Sequence, residues 1–424
     1  MFEKLTRVAF VFFMPLYMLS EYLFMRGINT YMFLYHPLRL ILLIKVLSLM
    51  QTKNDSSFIK LMTIYFFYCA FSVVLYEFND APINGYVSAL QPYLYPMIFV
   101  WLGYGYSNDE KFNKMYLYSC LACFLIGFYL YFTMPSYYMQ FLYDVQTTGW
   151  TAKEGVTDSS ILAFARFSSF FGYSYAISYF SIPALSISLG YTLYKNTEIS
   201  KKLLYFMAIV SFVAAMLCMQ RAAMAYSVAV LLFYGYYSLK RNNSSRLFVV
   251  YGVVVALVFV VLGAVGTLDR FSEISGNLLE QLSRMDFSEA MEERTFQYSL
   301  SDRATWWSYI VGLGMGSCGG IARSVGLAGV TDGEYVKMFY EMGFLGTSIF
   351  ALIMITTILR GLKHLRLYYM ELIIVVYFLA AGLGSNSLYM NMYCAMFWYS
   401  LGRIWNKQYY QIKKGYIFEN GNKR

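Results

Sequence analysis

The stretch that decides the fold is LLYFMAIVSFVAAMLCMQRAAMAYSVAVLLFYGYYS, residues 203–238. It is apolar apart from Gln220-Arg221 and a few Tyr and Ser. A hydrocarbon core of about 30 Å takes roughly 20 apolar residues of helix, so this stretch is too long for one ordinary span. Two helices hinged at Arg221 fit it. Read as one long helix, it would swap the side of every later loop. The basic loops at 239–246 and 360–366 would then lie outside, against the preference of Lys and Arg for the cytoplasmic side. The hinge reading instead puts Arg221 at the outer face.

The same length rule, carried outward in both directions, gives about twelve spans: 8–25, 30–50, 58–77, 86–106, 115–134, 173–194, 203–219, 222–238, 247–266, 337–359, 368–385 and 389–405. The inner loops then hold Lys53, Lys60, Lys111, Lys114, Lys195, Lys201, Lys202, Lys240, Arg241, Arg246, Arg360, Lys363 and Arg366. Lys4 and Arg7 at the start and six basic residues from Arg403 to Arg424 place both termini in the cytoplasm. The expected fold is an all-α membrane protein, a single multi-span domain over 1–424. A large extracytoplasmic loop at 267–336 separates the ninth and tenth spans, and 406–424 form a cytoplasmic tail. That loop opens with amphipathic helical spacing at Leu268, Phe271, Ile274, Leu278, Leu279, Leu282 and Met285. A second long outer segment runs over 135–172. The first apolar stretch lacks a small-residue cleavage site and reads as a retained span.

Composition agrees. Only 13% of residues are charged against 59% hydrophobic, where soluble domains carry about 25% charged. The net charge of +9 is concentrated in inner loops and the tail, where membrane orientation explains it and nucleic acid is not implied. Of six Cys, five lie in or beside apolar runs; Cys120 and Cys123 form a C-x-x-C inside a span with no second pair, which points to packing and not to zinc or redox chemistry. His36 and His364 are the only histidines and lie far apart, so a histidine metal centre is not expected. No metal or other cofactor is expected.

The outer side departs from the charge rule. Its basic residues are Arg26, Arg39, Arg166, Arg221, Arg270, Arg284, Arg294, Arg303 and Arg323, with only Lys153 and Lys337 as Lys. A guanidinium offers a rigid fork of donors matched to phosphate and carboxylate oxygens. Outer Arg residues against the positive-inside trend point to an anionic, phosphorylated ligand. The densest chemistry lies between Arg294 and Gly346, in ERTFQYSLSDRATWW, IVGLGMGSCGG and TDGEYVKMFYEMGFLG. Gly312, Gly314 and Gly316 alternate, but no strand precedes them and no P-loop Lys follows, so a nucleotide loop is not indicated. Close backbone approach to a ligand, or a tight re-entry, needs such glycines. Asp332 and Glu334 stand at the mouth of a span, where acids cap a helix well and where a carboxylate can also serve as general base.

Taken in order, these pieces resemble the O-antigen polymerase and ligase superfamily, the Wzy-type polymerases and their ligase relatives. ARFSSFFGYS at 165–174 resembles its Arg-plus-small-residue motif. MQRAAMA at 219–225 is similar to its Ser-Arg-Ala-type motif, with Gln220 in the Ser position. Arg294 with Tyr298, then GLGMG at 312–316, resembles its Arg-x-x-x-Trp and Gly-x-Gly-x-Gly pair; Arg303 with Trp306 and Trp307 is an alternative alignment. DGEYVKMFYEMGFLG at 332–346 resembles the motif that closes the outer loop, where the ligases tend to carry His and this chain has Asp332. The likeness covers most of the chain in topology and about a tenth of it in motif.

The resemblance implies a GT-C-like glycosyltransferase of a bacterial inner membrane. Its donor would be an undecaprenyl-pyrophosphate-linked oligosaccharide, and its product a longer O-antigen or capsular chain. Arg166, Arg221, Arg294 and Arg303, with Gly312, Gly314 and Gly316, would hold the pyrophosphate. Asp332, with Glu334 as second choice, would take the acceptor proton. Membrane lipids and a chain-length regulator are the implied partners. Two alternatives stay open: a ligase that moves finished glycan to lipid A-core, and a flippase for lipid-linked sugar. Transporters place charge near the midplane and often show internal repeats, whereas here the Arg residues gather at the outer edge.

Overall fold

The computed structural model describes residues 4–9, 11, 23, 28, 36–52, 57–72, 74–75, 98–105, 110–148, 166–171, 174–193, 199–240, 305–318, 333–385, 387–389 and 393–410. These are mostly helical, and no strand occurs among them. In chain order the helices are α1 (His36–Thr52), α2 (Ser57–Phe71), α3 (Glu110–Thr133), α4 (Ser136–Thr148), α5 (Ser174–Thr192), α6 (Lys201–Leu217), α7 (Arg221–Lys240), α8 (Trp306–Val311), α9 (Glu334–Lys363), α10 (Leu365–Ala381) and α11 (Ala395–Trp405). A 3-10 turn covers Ser169–Phe171, and 98–105 are also helical. Two helices, α3 and α9, are long and apolar enough by length and composition to cross a membrane. The expected span at 247–266 and the amphipathic stretch from Leu268 to Met285 lie outside the described residues.

The chain divides into two compact units. One comprises Met1–Arg39 and Asn108–Asp286, the other Leu40–Ser107 and Phe287–Arg424. The division falls within α1.

In the first unit α5 is the central element. Every residue from Ala176 to Thr192 is buried, as expected of a helix that is apolar on all sides. Two of its hydroxyls bond within the helix: Ser178 donates to Tyr175 O at 2.6 Å and Thr192 to Leu189 O at 2.6 Å. Neighbours add polar ties. Asn113 of α3 donates to the Tyr191 hydroxyl at 3.0 Å, and Tyr234 of α7 donates to Ser186 O at 3.0 Å. The stretch 203–238 is indeed two helices. The break falls at Cys218–Gln220, where Met219 takes a left-handed φ of 51° and its N–H donates to Met216 O at 3.1 Å. Helix α7 then starts at Arg221. Within 135–172, expected to lie outside the membrane, α4 buries Tyr138, Phe141 and Leu142 against Leu130.

The second unit is built on α2, α9, α10, α11 and the 98–105 helix. Small residues let two of these approach at backbone distance. A Cβ on Gly103 would lie 2.1 Å from Tyr399 O, and one on Gly402 would lie 2.1 Å from Val100 O. Phe58 of α2 stacks on Trp405 of α11 with ring centroids 4.9 Å apart. Residues 406–410, at the head of the expected tail, belong to this fold. Asn406 donates to Gly103 O at 3.2 Å, and its Oδ1 accepts from the N–H groups of Gln408 and Tyr409, each at 3.0 Å. The fully buried Arg403 guanidinium lies 3.8 Å over the Tyr409 ring.

Candidate functional site

Two clusters carry chemistry, one in each unit. In the first unit the chain after Arg166 turns tightly onto α3. Phe167 is fully buried and packs between Phe128 and Tyr131, with ring centroids 4.9 and 5.6 Å away. Ser169 takes a φ of 51°, donates to Cys123 O at 3.0 Å, and sits against Gly127, where a Cβ would meet its Oγ at 2.4 Å. Tyr138 of α4 donates to Ser169 O at 2.8 Å. The Phe167 N–H donates to Leu217 O at 2.9 Å, the last residue of α6. That bond joins the Arg166 segment to the break that begins α7 at Arg221.

The result is a concentration of positive charge. Arg166 and Arg221 are near enough to repel: burial pushes the Arg166 guanidinium down from its ordinary value, Cys218 opposes this, and Arg221 pushes it down further. A guanidinium remains protonated regardless. The Arg166 Nε is buried and has no hydrogen-bond partner among the described residues. Nor does either Arg pair there with a carboxylate. Arg221 is also the first residue of α7, where the helix dipole presents its positive end. Like charges held together at such a point favour an anion. Two of the three non-glycine residues with left-handed φ among those described, Ser169 and Met219, flank the two arginines. Strained backbone of this kind gathers at functional sites.

In the second unit the alternating glycines form a turn that packs on α9. A capping box between Thr305 and Ser308 starts α8. The chain then turns at Gly312, Gly314 and Gly316, with φ of 91°, 98° and 84°, values that L side chains rarely adopt. Leu313 N–H donates to Tyr340 O at 2.7 Å and Gly314 N–H to Glu341 O at 3.1 Å. Helix α9 meets the turn with a kink of its own, Gly343 at φ 61°, ψ −172°. A Cβ there would stand 2.4 Å from both Gly312 N and Ile310 O. The Tyr68 hydroxyl sits at the kink, 2.7 Å from Met342 O and 2.8 Å from Val311 O. The close approach that the glycines permit is thus to the protein's own backbone.

Charged groups line the same helix. Glu334 is fully buried; its Oε2 accepts from Leu388 N–H at 3.2 Å and its Oε1 lies 3.6 Å from Lys337 Nζ. Glu341, also fully buried, accepts from Cys318 N–H at 3.3 Å. Glu334, Lys337 and Glu341 recur at i, i+3 and i+7 and so share one face. Sequence reasoning named Glu334 and counted Lys337 among the outer cations, but it missed Glu341. The available signal was a third charge at helical spacing in an apolar segment, where charge is expensive.

Of the residues singled out in the sequence, Arg166 and Arg221 are brought together in the first unit; in the second, the three glycines turn onto the middle of α9, while Glu334 stands at its first residue and binds Leu388 and Lys337. Asp332, Arg294 and Arg303 lie outside the described residues. All six Cys are free and buried, Cys120 and Cys123 included. Among the described residues no three His, Cys, Asp or Glu side chains gather to hold a metal ion.

No protein-family model matches this chain, and no curated protein matches it.

Proposed function

We propose that the chain is a glycosyltransferase of a bacterial inner membrane that joins undecaprenyl-pyrophosphate-linked repeat units into an O-antigen or capsular polysaccharide. In this reading it crosses the membrane about twelve times in a GT-C-like arrangement, a length-based figure, with both termini in the cytoplasm and the chemistry on the periplasmic side. The observation that carries the reading is the Arg166–Arg221 pair: two guanidinium groups beside one helix start, neither paired with a carboxylate among the described residues.

The chemistry follows from charge. An acceptor hydroxyl oxygen attacks the anomeric carbon of the donor sugar. The bond from that carbon to the pyrophosphate oxygen breaks, and the lipid pyrophosphate leaves with the electron pair. Arg166 and Arg221 bind the pyrophosphate and stabilise the charge that grows on it, with Arg294 and Arg303 assigned to the same work by the sequence motifs. Fixed cations aimed at developing charge are often the largest catalytic term. Asp332 accepts the hydroxyl proton. Glu334, already engaged with Leu388 and Lys337, is the second choice for that role.

The test is a glycan ladder from a strain lacking the gene. A single repeat unit on the lipid core, restored to a full ladder by the intact chain and not by Arg166→Ala or Arg221→Ala at equal membrane levels, supports the polymerase. Long chains left on the carrier would mean a ligase, and cytoplasmic accumulation of lipid-linked units a flippase. Full ladders with both variants would sink the proposal.

A further inference from the structure

We propose that Glu341 and Lys337 are positioning residues that lock the 312–318 turn onto α9. The effect of that lock on glycan chains rests on the function proposed above.

The donors of the turn can be followed one by one. Gly312 donates to Ser308 O at 2.8 Å, Leu313 to Tyr340 O at 2.7 Å, Gly314 to Glu341 O at 3.1 Å, Met315 to Ser72 Oγ at 3.4 Å, Ser317 to Gly314 O at 3.2 Å, and Cys318 to Glu341 Oε1 at 3.3 Å. Gly316 N–H has no acceptor among the described residues. Glu341 therefore grips the turn on both sides of Gly316, by its carbonyl before it and by its carboxylate after it.

A fully buried carboxylate needs a cation to stay where it is. Lys337 stands one helical turn before Glu341 and is attracted to it and to Glu334. Glu334 in turn fixes Leu388 N–H at 3.2 Å. The Lys thus sits between two acids whose other partners are backbone N–H groups of two different turns. Loss of Glu341 would release the end of the glycine turn and remove one of the two acids that attract Lys337.

Cys318 reports on this directly, since its own N–H is the one held and its thiol is buried and in no disulfide. The experiment is alkylation of the purified full-length protein with iodoacetamide in detergent, mapped by mass spectrometry across all six Cys. Glu341→Ala should raise the rate at Cys318 by about tenfold, the loss of one charge-assisted hydrogen bond, with the other five unchanged. Glu341→Gln keeps an acceptor for Cys318 N–H and should stay within about threefold of the parent. In cells, Glu341→Ala should shorten the glycan ladder and Glu341→Gln should recover it. An unchanged Cys318 in Glu341→Ala, a uniform rise at all six Cys, or Glu341→Gln behaving as Glu341→Ala would overturn the clasp. A normal ladder in Glu341→Ala with Cys318 released would overturn its part in activity. Should the Arg variants keep full ladders, the polymerase reading fails, while the alkylation result still decides the clasp.

Discussion

The backbone N–H of Phe167 donates to the carbonyl of Leu217 at 2.9 Å, and this one bond ties two motifs that are 50 residues apart in the sequence. On one side of it stands Arg166, on the other the break that leads to Arg221. Anchoring on both sides is stiff. The Phe167 ring is clamped by two aromatics of α3, and the break is held by the Met219 N–H on Met216 O. The guanidinium groups therefore start from fixed backbone, and preorganised donors are what transition-state charge rewards.

Inorganic pyrophosphate should raise the thermal unfolding temperature of the purified protein. At a hundred times its dissociation constant a ligand stabilises by about 2.7 kcal/mol. Arg166→Ala and Arg221→Ala should each abolish the rise, and each should reduce chain elongation by about a hundred- to a thousandfold, as loss of one preorganised donor typically does. The double variant should fall little further than the worse single, because groups that act as a unit are not additive. Substitution by Lys should fail to restore activity, since a point charge does not reproduce the guanidinium fork. An equal pyrophosphate shift in parent and variants, read by scanning fluorimetry, would remove the pair from the site.

Gly127 offers a test that leaves both arginines intact. A Cβ there would stand 2.4 Å from Ser169 Oγ and 2.9 Å from the Phe167 ring. Gly127→Val should push the 166–171 segment off α3 and weaken pyrophosphate binding by about tenfold or more, in line with small misplacements at a preorganised site. Titration calorimetry of the folded variant reads this. Unchanged affinity would mean that the segment's seat on α3 does not set the position of Arg166.

The helical class was legible in the residues alone, and particular elements show how far that reading reached. The two-helix reading of 203–238 rested on length and on a polar Gln-Arg pair, both local properties, and the structure breaks within two residues of it, at Met219. The glycines at 312, 314 and 316 announced a tight approach, but not that the approached surface is α9, because that depends on Gly343 and its kink 27 residues beyond Gly316. Helix α4 lay unread inside a segment expected to be a loop outside the membrane: at 13 residues it is too short for a span. Glu341 escaped notice because a lone acid carries no local pattern; only the turn it grips reveals its role. Arg166 and Arg221 were each marked by chemistry, yet their juxtaposition depends on a tertiary hydrogen bond that no periodicity encodes.

Gly402 and Gly103 mark the closest helix approach in the second unit. A Cβ at Gly402 would meet Val100 O at 2.1 Å and Tyr104 N at 2.8 Å, both backbone atoms that cannot rotate away. Gly402→Val should therefore separate α11 from the 98–105 helix and destabilise the protein by about 3 kcal/mol or more, at or beyond the upper end for overpacking. Lower yield of monodisperse protein in detergent and a fall in unfolding temperature are the expected readouts. A variant as stable as the parent would show that the two helices are free to part.

Gly343 tests the kink by a different physical route, backbone conformation. Its φ of 61° with ψ of −172° belongs to a region that is essentially glycine's alone, and a Cβ would collide with Gly312 N and Ile310 O at 2.4 Å each. Gly343→Ala must either straighten α9 or drive the glycine turn away from it. Straightening would restore helical geometry at 343 but would pull Met342 O from the Tyr68 hydroxyl, and displacement would break the bonds from Leu313 and Gly314 to α9. Either path should cost about 3 kcal/mol or more, combining strain of 1–3 kcal/mol with the steric term. It should also expose Cys318 to alkylation ahead of the other five Cys, as Glu341→Ala does, although no charge has been removed. If Gly343→Ala keeps both its unfolding temperature and the protection of Cys318, the kink is not what seats the turn.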